Sequence, residues 1–75
     1  MIEQKIKTYR MMIGHNIKTY RKKRSMTQAK LASIIGIDRT VLSRYENDGV
    51  NVSMSAMILI ARALKVSPLK LMEGA

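Results

Sequence analysis

The sequence predicts an all-α domain built from five helices with short connections. A single proline and four glycines punctuate its 75 residues. Alternation of β-branched and polar residues at the period of a strand is nowhere sustained, whereas apolar residues recur three and four positions apart. Each periodic segment after the first follows a serine, threonine or aspartate suited to cap a helix start.

Ile13, Ile17, Tyr20 and Arg24 share one helical face, which places a first helix from about Met12 to Arg24, broken at Ser25. Thr27 is positioned as the N-cap of a second helix, Gln28 to Ile34, burying Leu31, Ala32 and Ile35, with Gly36 ending it in the left-handed conformation. Asp38 caps a third, Arg39 to about Asn47, after which Asp48-Gly49 reads as a turn. Ser53 caps a fourth, Met54 to Lys65, with Met57, Ile60, Ala61 and Leu64 on one stripe. Ser67-Pro68 sets a cap before a proline at the first helical position, opening a short fifth helix through Met72.

Ahead of these lies a local repetition. Ile-Lys-Thr-Tyr-Arg occurs at 6–10 and again at 17–21. An offset of eleven is close to three helical turns, so one continuous helix would present both copies on the same face. Residues 1–11 are therefore read as a basic N-terminal extension, either a helical continuation or disordered, and residues 12–75 as the folded domain. Met11 and Met12 are alternative natural starts.

A chain this small buries only roughly 60 % of its unfolded surface, so its core is thin. Without cysteine it has no disulfide or thiolate metal site, and the lone His15 leaves no metal-ligand cluster. Self-association is the expected source of extra stability. No paired carboxylates, nucleophile beside a base, or glycine-rich phosphate loop occurs, so no enzymatic activity, cofactor, metal or small-molecule ligand is expected. The longest apolar run, Ala56 to Ala61, falls far short of the ~20 residues of a spanning helix. With no export signal and no cysteine, a reducing cytoplasm is the expected compartment. The net charge is +9 and the pI about 10.4. Residues 1–24 carry eight cations against Glu3 alone, a balance that attracts phosphate or anionic lipid.

Residues 27–47 read TQAKLASIIGIDRTVLSRYEN, two short helices joined at a glycine turn, as in a helix-turn-helix. The pattern resembles the Cro and phage-repressor-like (XRE-type) helix-turn-helix family of transcriptional regulators. Ile17, Arg21, Thr27, Gln28, Leu31, Ala32, Gly36, Ile37, Leu42, Ser43, Glu46 and Asn47 carry the likeness, followed by Ser53, residues 60–64, Val66 and Ser67. It covers residues 13–72; each short motif is weak alone, and the combined spacing is specific. The resemblance implies a compact five-helix, lambda-repressor-like domain whose third helix enters the major groove of double-stranded DNA.

On a helical wheel Val41, Leu42 and Tyr45 fall on one side of the third helix, and Arg39, Thr40, Ser43, Arg44 and Asn47 on the other. The family's reading positions make Arg39, Thr40, Ser43 and Arg44 the expected base contacts, the arginines because a guanidinium matches guanine O6 and N7. Thr27 and Gln28 stand at a helix N-terminus suited to phosphate, and Asn47 at a family phosphate position. Thr27 and Asn47 are alternatively caps and nothing more. Lys22 and Lys23 add phosphate affinity or complement the helix dipole. The resemblance also implies an ion pair between Arg21 and Glu46, against the plainer reading of two solvated charges. One departure stands out: the glycine usual after Glu-Asn is Asp48 here, expected to tolerate the left-handed turn.

In the fourth helix Leu59 points roughly 160° from the core stripe, with Ile58 at its margin. Together with Leu69 and Met72 they form an expected dimer contact. The expected partners are thus a second copy and an approximately palindromic operator. A phage or plasmid repressor and a restriction–modification controller are two forms of this reading; an antitoxin-type DNA-binding module that also binds a protein partner is the alternative class. Membrane-surface binding through Ile2, Ile6, Tyr9 and Ile13 is disfavoured, since that stripe lacks tryptophan and phenylalanine.

Overall fold

The computed structural model describes residues 2–74, in five helices and without strands among those residues. They are α1 (Ile2–Lys23), α2 (Gln28–Ile35), α3 (Arg39–Asp48), α4 (Met54–Leu64) and α5 (Pro68–Leu71). Ile17, Leu31, Leu42, Ile60, Leu64 and Leu71 are completely buried, so every helix contributes to one core. Ala32, Met57 and Ala61 complete it, flanked by half-buried Ile13, Tyr20, Ile35 and Tyr45.

The caps follow from the sequence. Thr27 Oγ1 accepts from the Lys30 amide at 3.0 Å, Ser53 Oγ from Ala56 at 3.0 Å and Ser67 Oγ from Leu69 at 3.3 Å. Asp38 takes the N-cap position of α3 without a side-chain bond, its carbonyl accepting from Val41 and Leu42 instead. Gly36 ends α2 in the left-handed conformation, φ 77°.

Six boundaries differ from expectation, among them the last residues of α1, Lys23 rather than Arg24, and of α2, Ile35 rather than Ile34. α1 begins at Ile2, ten residues before Met12, so residues 2–11 take the helical option left open for them, and no proline or glycine interrupts residues 2–13. α4 stops at Leu64, and Lys65 takes a left-handed φ of 58° as its C-cap. α5 stops at Leu71, with Met72 as its cap. Asp48 remains helical, and the left-handed residue is Gly49, φ 67°, one position later than the family pattern implies. A side chain at Gly49 would collide with the Arg10 carbonyl, so glycine is required there by both conformation and space. Asp48 Oδ1 instead accepts from the Val50 amide at 2.9 Å and braces the turn.

Two side chains tie distant helix ends together. Arg24 donates to the carbonyls of Leu64 (2.8 Å) and Lys65 (3.2 Å), capping α4 from the end of α1. Asn16 donates to Leu71 and Glu73, at 2.9 and 2.7 Å, and does the same for α5. Both satisfy carbonyls that a helix C-terminus leaves without partners.

Candidate nucleic-acid interface

α2 and α3 meet across the Gly36 turn, which leaves one side of α3 outside. Leu42 and Glu46 face inward; Val41 and Tyr45 are half-buried beside them. Arg39, Thr40, Arg44 and Asn47 are exposed, and Ser43 lies half-buried at the edge of that face. The wheel thus placed the outer residues, but it omitted Glu46 from the inner side.

Glu46 is the centre of a buried network. Arg21 Nε donates to its Oε2 at 2.6 Å and Arg21 Nη2 to its Oε1 at 3.0 Å, a fork that matches the carboxylate in two places. The Glu46 side chain is 1 % exposed, so this pair is a buried one rather than two solvated charges. Arg21 Nη1 also donates to the Met26 carbonyl at 2.6 Å, holding the chain between α1 and α2. Among the described residues every buried side-chain nitrogen and oxygen has a partner. That is the condition under which a buried charge pair is tolerated.

Gln28 joins the same network. Its Nε2 donates to Glu46 Oε1 at 3.1 Å, which turns the Gln28 Oε1 outward to accept from Arg39 Nη1 at 3.4 Å. The Gln28 amide is thus engaged at both ends, with Arg39 held beside it. Sequence reasoning gave Gln28 a phosphate contact only, because a residue 18 positions away from Glu46 offers no local sign of pairing.

At the start of α2, Thr27 caps Lys30, so helix geometry leaves the amides of Gln28 and Ala29 at the positive end of the dipole. Lys22 and Lys23 are exposed on the last turn of α1, next to this end. Lys23 Nζ rests 5.2 Å from the Tyr20 ring centre, a cation–π distance. A second feature flanks α3: a shallow depression lined by Val41, Arg44, Tyr45, Val50 and Asn51. Asn51 is held there with φ 63°.

The sequence profile described as Helix-turn-helix matches residues 17–71. The chain belongs to the helix-turn-helix family. This helix-turn-helix protein is 46 % identical over 56 residues to Antitoxin PezA of Streptococcus pneumoniae, a match covering 75 % of this chain and 35 % of that protein. It is 34 % identical over 61 residues to the control protein C.SmaI of Serratia marcescens, covering 81 % of this chain and 73 % of that one. Among solved structures, the restriction-modification controller protein C.AhdI from Aeromonas hydrophila superposes with a TM-score of 0.77 at 28 % identity, over 81 % of this chain and 92 % of that one. The family is one of DNA-binding transcriptional regulators.

Away from α3, the helix-turn-helix domain exposes Ile58, Leu59, Leu69 and Met72, the residues expected at a dimer contact. Ile34, 49 % exposed, joins Leu59 in lining a shallow apolar depression with Ile35, Arg62 and Ala63. The patch therefore reaches α2, which the sequence reading left out because Ile34 falls at the uncertain end of that helix.

Proposed function

We propose that the protein binds an approximately palindromic double-stranded DNA operator as a homodimer and regulates transcription from it, in the cytoplasm and on the nucleoid. The observation that carries this reading is the division of α3. Its inner face is clamped by Glu46 to Arg21 and Gln28, and its outer face offers Arg39, Thr40, Arg44 and Asn47. A recognition helix must be rigid relative to the rest of the domain for donors on its surface to meet base edges in register.

In this reading Arg39 and Arg44 read bases, with Thr40 and Ser43 contacting bases or the thymine methyl. Thr27, Asn47, Lys22, Lys23 and the Gln28 backbone amide contact phosphates. The Gln28 side chain serves chiefly to aim Arg39. Residues 12–75 form the binding unit, and residues 1–11 are an appended basic segment. A single helix reads few base pairs, so two copies related by a two-fold axis, with helices ~34 Å apart, supply the specificity. Ile58, Leu59, Leu69 and Met72, with Ile34, are the surface that joins them.

Selection of bound sequences from a random DNA pool tests the reading. Inverted repeats should be enriched, and Leu59→Lys should weaken binding to the full site far more than to a half-site. Enrichment of no sequence over the pool would contradict it. The identity to an antitoxin favours one second reading, in which the same DNA-binding unit also holds a protein. Co-purification with the product of a neighbouring gene distinguishes that case.

A further inference from the structure

The repetition at the front of the chain is not explained by DNA reading. Aligned at the offset of eleven, residues 2–10 and 13–21 agree at six of nine positions, the differences being Glu3 for Gly14, Gln4 for His15 and Lys5 for Asn16. The second copy is packed: Ile17 is fully buried and Arg21 sits on Glu46. The first copy continues the same helix and carries the same face uncovered, with Ile2 75 %, Ile6 44 % and Tyr9 60 % exposed.

Space explains why the second copy occupies the core. A Cβ at Gly14 would run into the carbonyl oxygens of Tyr45 and Glu46, 2.9 Å from the latter. If α1 slid by three turns, Glu3 would fall at that point of closest approach to α3. Gly14 therefore fixes the register and leaves the first copy unpartnered. The separations between Ile2, Ile6, Tyr9 and Ile13, alternately four and three, are those of a helix–helix seam.

We infer that this uncovered stripe is a second self-association surface, on which residues 2–10 of two copies pair as antiparallel helices. Charge decides both the occupant and its direction. Glu3 and Arg10, seven residues apart, lie on one flank of the stripe, and Lys5 on the other. Antiparallel pairing brings a flank against the same flank of the second copy, so each Glu3 meets an Arg10 and Ile6 lies near the symmetry axis. Parallel pairing would bring Lys5 against Arg10, cation against cation. Nine residues of helix cover much less than the ~1,200–2,000 Å² of a stable complex. The contact is therefore a weak, transient one in free solution, which covalent trapping can still capture, and it is strongest between copies already brought close, such as neighbouring dimers on DNA; it stands whether or not α4 carries the other interface.

Because the chain has no cysteine, a single introduced thiol reports on this contact by covalent trapping. Purified full-length Ile6→Cys, oxidised mildly, should form a disulfide-linked pair, and Thr8→Cys, off the stripe, should form it much more slowly. Adding Arg10→Glu to Ile6→Cys should slow trapping about tenfold, the equivalent of ~1.4 kcal/mol, and adding Glu3→Arg as well should restore it. Trapping that persists with Leu59→Lys but responds to the charge changes supports this surface even if the α4 interface fails. Equal trapping at Ile6→Cys and Thr8→Cys, or no response to Arg10→Glu, overturns it. So does failure of the double charge exchange to recover the rate.

Discussion

Two stretches of this chain share a sequence and differ in everything around it. Ile-Lys-Thr-Tyr-Arg at 17–21 lies in the core with its arginine in a buried fork; at 6–10 it runs along an exposed helix. The residues are the same, so the difference lies in what receives them: Leu31, Leu42, Ile60 and Glu46 for the second copy, solvent for the first. A motif therefore reports what a segment can bury. What it does bury is decided by partners far along the chain and, here, by one glycine.

That contrast can be broken by substitution. Glu46→Ala removes the partner of a buried guanidinium and should cost ~3–5 kcal/mol, while Arg10→Ala at the equivalent arginine should stay within ~0.5. Chemical denaturation of both variants measures the gap, and equal losses would refute the difference in environment. Ile17→Ala opens a core cavity and should cost ~2–5 kcal/mol, against a small change for Ile6→Ala. Gly14→Ala tests the register lock, since its methyl group must displace the α3 backbone; a loss of ~1–3 kcal/mol is expected, and a neutral result would remove the lock. A milder loss comes from Arg24→Ala, which removes a cap on α4 and should cost ~1 kcal/mol, seen as a lowered thermal midpoint.

Legibility from the sequence follows the range of the interactions. The α4 stripe, the caps at Thr27, Ser53 and Ser67, and the left-handed Gly36 were all readable, because each depends on neighbours within one or two turns. The split of α3 into inner and outer faces came from the same periodicity. Arg24 and Asn16 were not readable as caps, since their acceptors lie 40 and 55 residues away. Gln28 was half readable: its place at a helix start is local, but its hold on Glu46 and Arg39 exists only after α2 and α3 pack. The start of α1 stayed open between helical continuation and disorder, because apolar periodicity shows which face would bury, and residues 2–10 fold as helix without burying it.

In the proposed function the outer face of α3 reads base sequence. Binding of Arg44→Ala to a panel of single-base variants of the selected operator tests it most directly. A loss of ~1–3 kcal/mol is expected on the parent site, with preference relaxed at one or two base pairs and kept elsewhere. Weakening by the same factor on every member of the panel would mean that Arg44 touches only phosphate and reads no base.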